Sequence, residues 1–242
     1  MIRHIVEPAR LYLAWQAPDG TSHGRTRRKV AEIFTQTNGP TILRYLKDSP
    51  DYQAAFQAGF SGYPAFGLEK EVHDSGILET FLHRLPPQKR RDYKDFLRIW
   101  RLNPEVPLSP MALLGYAGAQ LPGDGFSLVH PFDTGRPPFE ILEEVAGFRH
   151  LPHAAELLGS LQVGQQVYLR AEPDNPYDPF AIRMELANQQ LLGYVNRLQA
   201  PALHRWLQRP GINGLIDRIN GTPSRPLIYV FLEVGKEFQV ES

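Results

Sequence analysis

The chain has 242 residues, 42% of them hydrophobic and 21% charged, an ordinary globular composition long enough for one or two domains with their own cores. It has no cysteine, which excludes disulfides, thiolate zinc sites and cysteine nucleophiles, and its zero formal net charge excludes a molecule drawn as a whole to nucleic acid. The first ten residues lack the apolar run of a signal peptide, and no stretch reaches the ~18 apolar residues of a membrane span, so a cytoplasmic protein with no membrane partner is expected.

Residues 10–15, Arg-Leu-Tyr-Leu-Ala-Trp, alternate as a strand does. Ala17-Pro18-Asp19-Gly20 is a turn signal, and His23-Gly24-Arg25 opens the return strand of a first hairpin. A second strand-like run covers 41–46. Residues 50–68 are rich in Gly, Pro and aromatics (Phe56, Phe60, Tyr63, Phe66), which predicts an irregular segment packed on a core. Helical spacing of Ile77, Leu78, Phe81 and Leu82 ends at Pro86-Pro87. A second helix is predicted over 88–102, with Tyr93, Phe96, Leu97 and Trp100 on one face and the basic cluster Lys89-Arg90-Arg91 with Lys94 elsewhere. That cluster, like Arg25 with Arg27-Arg28-Lys29, reads as a solvated face or an aid to phosphate contact. Ser109-Pro110-Met111 starts a short helix, Ser as N-cap and Pro in the first turn, ending near Gly118. A strand follows at 126–130.

Residues 131–138, with three Pro and one Gly, are the best linker candidate. The texture then changes to short strands, expected at 141–148, 166–171, 181–186, 191–195 and 227–234, with a short helix at 201–207. Close-spaced short strands point to a small barrel. The expected fold class is α+β: a mixed α+β domain over 1–131, a linker over 132–138, and a small OB-like β-barrel over 139–242. Residues 1–138 carry 17 Lys and Arg against 14 Asp and Glu, and residues 139–242 carry 9 against 12. The acidic balance of the second part argues against a broad phosphate-binding surface there and leaves room for a compact pocket.

Three features of this second part belong together: Gly147-Phe148-Arg149-His150, then Glu172-Pro173-Asp174-Asn175-Pro176-Tyr177-Asp178-Pro179 with Ala181-Ile182, then Leu192-Gly193-Tyr194-Val195-Asn196-Arg197. The middle one reads as strand, tight loop, strand. Asn175 before Pro176 is kept out of the helical region, and Asp174 and Asn175 can bond their own backbone two residues on. Tyr177 offers a stacking face, Asp178 an acceptor, and Arg149 and Arg197 forks for phosphate, the inventory of a pocket for a nucleotide terminus. The alternative reading has Tyr177 in the core and Asp178 capping backbone.

Over residues 140–234 the order and spacing of these motifs resemble the HIRAN domain. The resemblance implies an OB-like barrel that binds the 3′ end of single-stranded DNA, as in the fork-remodelling helicases of DNA repair, with Arg149, His150, Tyr177, Asp178, Tyr194 and Arg197 as the DNA-binding residues. Two departures stand out: His150 and Leu151 replace two consecutive aromatics, and Arg197 replaces a Lys. A lost aromatic removes stacking of ~1–3 kcal/mol per base. Residues 10–131 show a patchier resemblance to the N-terminal subdomain of HipA-type toxin kinases, carried by the hairpin at 11–25, Thr80-Phe81-Leu82-His83-Arg84-Leu85-Pro86-Pro87, Pro110-Met111-Ala112-Leu113-Leu114-Gly115 and Pro122-Gly123-Asp124-Gly125-Phe126-Ser127-Leu128-Val129. It implies docking of a protein partner and no catalysis.

No phosphate-binding loop, His-Glu-x-x-His or Gly-x-Ser-x-Gly is present. His150 and His153 have ligand-like spacing with nothing nearby in sequence to complete a metal site, and Glu143-Glu144 need no function. No catalytic residue, cofactor or metal is expected. The expected protein is a bacterial-type, non-catalytic DNA-binding chain. Its rival is a protein-interaction module that docks a partner such as a kinase-like toxin, a helicase or a nuclease.

Overall fold

The computed structural model describes residues 1–18, 26–37, 39–121, 123–208 and 211–235. The chain divides into two compact units, one of Glu7–Thr134 and one of Met1–Val6 with Gly135–Ser242. The fold class is α+β, as expected.

In the Glu7–Thr134 unit, β1 (Arg10–Trp15), β2 (Arg28–Thr35), β3 (Thr41–Tyr45), β4 (Val72–His73) and β5 (Phe126–Val129) form an antiparallel sheet in the order β4-β3-β2-β1-β5. β1 pairs with β2, and the expected beginning of that return strand at residues 23–25 lies outside the described residues. Helices α1 (Pro50–Gln57), α2 (Ile77–Leu82), α3 (Tyr93–Ile99) and α4 (Pro110–Ala117) complete the unit. α4 begins as its sequence signals: the Ser109 hydroxyl accepts the Ala112 N–H at 2.9 Å, and Gly118 ends it in the left-handed region. The same Ser-Pro signal operates at α1, where Ser49 accepts from Tyr52 at 3.1 Å. Residues 50–57 are therefore helical rather than irregular, and Tyr52 and Ala55 are buried.

The helix expected over 88–102 is shorter. Lys89, Arg90 and Arg91 precede it in turns, and only Leu97 of α3 is buried. Arg90 pairs with Asp92, Lys94 with Glu105 and Arg98 with Asp95, all on exposed side chains, where such pairs stabilise little. Lys29, second in β2, holds its ammonium 4.5 Å over the Tyr12 ring.

The core is aromatic: Tyr45, Tyr52, Phe60, Tyr63, Phe66, Phe81 and Phe126 form a chain of tilted and edge-on pairs. Burial pushes the Tyr45 hydroxyl up to about 12; it donates to the Phe66 carbonyl and accepts from the Tyr63 N–H. Arg84, just after α2, has a side chain only 7% exposed. Its guanidinium donates to the carbonyls of Ala119 and Phe126, to the Tyr63 hydroxyl and to both oxygens of Asp124.

In the other unit, β6 (Phe139–Glu144), a 3-10 turn at Phe148–His150, α5 (Ala154–Ser160), β7 (Gln166–Ala171), β8 (Ile182–Glu185), β9 (Leu191–Tyr194), α6 (Ala200–Leu203), β10 (Ile212–Thr222) and β11 (Arg225–Val234) follow in order. The six strands run β6-β11-β10-β7-β8-β9. Two hydrogen bonds between Ala146 and Tyr194, 2.8 and 2.9 Å, join the chain just beyond β6 to β9 and close the sheet on itself. Ile228, Val230, Leu232 and Val234 alternate into the interior with Val167, Ile182, Met184 and Leu192. The carboxylate of Glu143, beside which no function was expected, is buried and accepts the Asn196 N–H at 2.9 Å, holding the turn after β9.

The segment Met1–Val6 is part of this unit: Ile2 and Val6 are buried, and the carboxylate of Glu140 accepts the N–H groups of Arg3 and His4 at 2.9 and 3.0 Å and faces the His4 ring at 3.1 Å. Burial alone would raise the Glu140 carboxyl; the two N–H donors and His4 outweigh it and hold it below its ordinary value. A depressed folded value contributes stability above the unfolded carboxylate range that is lost as pH falls through the folded value. Glu140→Gln is therefore expected to lower stability by about 1 kcal/mol at neutral pH, read as a lower urea midpoint at unchanged m. The difference from the parent should vanish in acid. An equal difference at both pH values would show that the charge plays no part.

Candidate nucleic-acid interface

The loop joining β7 to β8 is built on the Asn175 turn that its sequence predicts, while Asp174, expected to bond the backbone in the same way, makes no such bond among the described residues and Asp178 does. Asn175 Oδ1 accepts the N–H groups of Tyr177 and Asp178 at 3.0 and 3.1 Å, and Asp178 Oδ1 accepts that of Phe180 at 2.9 Å. Asn175 is itself held by the Glu172 carboxylate, 2.5 Å from its Nδ2. These bonds fix the loop and leave the Tyr177 side chain outside: the residue is 92% exposed. Of the two readings the sequence left open, the core position for Tyr177 is ruled out. Asp178 does cap backbone with one oxygen; its other oxygen makes no hydrogen bond among the described residues.

Tyr194 lies on β9, opposite Arg183 of β8. Burial first, and then a hydrogen bond to the Glu172 carboxylate, raise its hydroxyl above the ordinary phenol value. Glu172 thus ties Tyr194 and Asn175 to one carboxylate, and Arg183 Nη1 approaches it at 3.4 Å. Glu172, Asn175 and Arg183 were not among the expected site residues. Glu172 and Asn175 lie inside the diagnostic run; only the fold brings Arg183 alongside.

Across the closing bridge, Arg149 and His150 sit exposed in the 3-10 turn, with Arg149 Nε donating to His150 Nε2 at 3.1 Å. The bridge depends on Gly193, whose φ is +145°. A Cβ there would lie 2.5 Å from the Ala146 carbonyl. Gly147 in turn would place a Cβ 3.9 Å from the Tyr194 ring. The fold therefore brings Arg149, His150 and Tyr194 together at one seam, and Glu172 connects that seam to the loop of Tyr177 and Asp178. Arg197 is half-buried, three residues beyond Tyr194 in the turn that Asn196 caps through the Leu198 N–H. Phe180 packs edge-on against His204 at 5.9 Å.

A second row lies on the same sheet. Arg170 of β7, Arg183 of β8 and Tyr194 of β9 are register partners, and Tyr168 opposes Glu185 in the next row. Glu185, with a side chain 5% exposed, faces Arg170 Nε at 3.2 Å and Arg183 Nε at 2.8 Å. Among the described residues no group of three His, Asp or Glu is arranged to hold a metal ion, and no helix is long and apolar enough to cross a membrane.

Residues 140–237 match the family model of the HIRAN domain. Among solved structures, a protein from Lactobacillus plantarum is similar at 22% identity and a TM-score of 0.34, over 38% of this chain and 91% of that one. The HIRAN domain of human HLTF is similar at 23% identity and a TM-score of 0.30, over 39% of this chain and 76% of that one. No curated protein matches the chain. The family match falls wholly beyond residue 139, and these findings do not support the resemblance of residues 10–131 to the HipA subdomain.

Proposed function

We propose, from the HIRAN-domain match over residues 140–237, that the second part of the chain is a non-catalytic module that holds the end of a single DNA strand, the 3′ end in particular. Residues 1–131 and 139–242 are proposed as separate domains, corrected at the start of the chain, where Met1–Val6 packs with the second, and the second carries the binding. One observation carries the reading: a tyrosine 92% exposed on a loop whose backbone is pinned by its own Asx turns, a ring offered for stacking from a fixed point of the chain. Tyr177 stacks on the last base, and the uncommitted oxygen of Asp178 accepts from the terminal hydroxyl. Arg149, His150, Tyr194 and Arg197 meet the sugar and phosphates behind it. Few phosphates are engaged, so the salt dependence is shallow, about −0.7 in slope per phosphate on a single strand.

Fluorescence anisotropy tests this with short oligonucleotides whose 3′ ends are free, phosphorylated or buried in duplex. Tyr177→Ala is expected to weaken binding of the free end by ~1–3 kcal/mol with an unchanged unfolding midpoint, because the ring touches little of the fold. Asp178→Asn keeps the cap to Phe180 and should erode the preference for a free hydroxyl. Equal binding to all three ends defeats the end-binding reading. No binding to any of them returns the second one, a module that docks a protein partner, which the acidic balance of residues 139–242 favours.

A further inference from the structure

We infer that the outer face of β7 and β8 is a second nucleotide subsite, where the body of the same single strand leaves the end-binding loop and crosses Arg170 and Tyr168. This rests on the reading of the Tyr177 loop as a strand-end site and extends it by a path and a site length.

The observation is the cross-strand row Tyr194–Arg183–Arg170. Its first member belongs to the seam with Arg149 and His150. Its last is 65% exposed, two strands away. At ~4.8 Å between neighbouring strands the row spans about 10 Å, roughly three nucleotides at ~3.4 Å each along a stacked strand. The row is continuous with the loop through side chains: Asn175 to Glu172, Glu172 to Arg183, Arg183 to Glu185, and Glu185 to Arg170.

Glu185 explains why such a face suits a phosphate. Its buried carboxylate is approached by Arg170 and Arg183 through Nε, the inner edge of each guanidinium. Arg183 also meets Glu172 through Nη1, whereas Arg170 makes its ion-pair contact among the described residues through Nε alone, and its terminal nitrogens remain for an outside acceptor. On the same strand and face, two residues before Arg170, Tyr168 is 42% exposed, a large aromatic on a sheet surface beside a cation. Base stacking with a neighbouring phosphate contact is the pairing that single-strand sites use. The two arginines and the carboxylates of Glu185 and Glu172 balance, so the face holds one phosphate through Arg170 rather than drawing a long polyanion. That agrees with the acidic balance of residues 139–242.

The test uses the full chain with a thymidine dinucleotide and a thymidine hexanucleotide, both with a free 3′ end, at two salt concentrations. The parent is expected to bind the hexanucleotide more tightly. Arg170→Gln should remove most of that gain, leave the dinucleotide affinity unchanged, and lower the salt slope for the hexanucleotide by about 0.7. Tyr168→Ala, at an exposed position where the fold is not at stake, should weaken the hexanucleotide at least about five-fold and spare the dinucleotide. Equal binding of both lengths by the parent overturns the subsite while leaving the end-binding reading intact. So does parental hexanucleotide affinity in both variants, or equal loss on both lengths. Failure of the parent to bind either oligonucleotide removes both readings.

Discussion

Replacing Arg84 by Ala is expected to cost about 3 kcal/mol, the low end of the range for removing one partner of a buried ion pair because the Asp124 left behind is a third exposed, and still a large share of the stability of an ordinary domain. The side chain is 7% exposed, and every donor it spends goes to a group of the fold: the Ala119 and Phe126 carbonyls, the Tyr63 hydroxyl and the Asp124 carboxylate. Its loss strands Asp124, which also orders the Phe126 N–H at the start of β5. Urea unfolding of Arg84→Ala, Asp124→Ala and the double variant measures this. The double variant should be less destabilised than the sum of the singles, by a coupling of about 0.5–3 kcal/mol. Additive losses would mean that the pair acts only by packing. The Arg84 and Asp124 segments are two of those that suggested a HipA-like subdomain, and in this chain their joint role is structural.

Gly193→Ala is expected to cost about 3 kcal/mol and to abolish oligonucleotide binding together with stability. The new Cβ would sit 2.5 Å from the Ala146 carbonyl, and no rotamer of another side chain can relieve a clash with backbone. Either the residue adopts a strained backbone, at about 1–3 kcal/mol, or the bridge opens and its two hydrogen bonds are lost, at about 0.5–1.5 kcal/mol each. That bridge closes the barrel and sets Arg149 and His150 beside Tyr194. Gly159→Ala is the control: it lies in α5 with open space around it, and should stabilise by about 0.5–1 kcal/mol through helix propensity. A Gly193→Ala protein as stable as its parent would mean that the seam is loose and that the pocket is not preorganised by it.

The sequence by itself determined the features whose physics lies within a few residues. Short strand-like runs located β7, β8, β9 and β11, and Ser109-Pro110 with Gly118 bracketed α4. The turn chemistry of Asn175 shaped the loop that carries Tyr177, while the second cap came from Asp178 and not from Asp174. Even α1 was written locally, in Ser49-Pro50, and was hidden by the Gly, Pro and aromatic residues that follow it. Tertiary structure decided what depends on partners far along the chain. β10 carries Asn213-Gly214 and Asn220-Gly221, which read locally as turns. Gly214 lies in a strand because it pairs with Val167 of β7 and Leu232 of β11, and the position takes glycine because a Cβ there would stand 2.9 Å from the Val167 carbonyl. Nothing local marked the acidic residues of β6 for burial, yet Glu140 and Glu143 are buried because backbone N–H groups from Arg3, His4 and Asn196 converge on them. Whether Tyr177 faced the core or the solvent was equally undetermined, since a turn fixes backbone direction and not what packs against it. Burial and pairing are set by which distant segments meet, and a window of neighbouring residues carries no record of that.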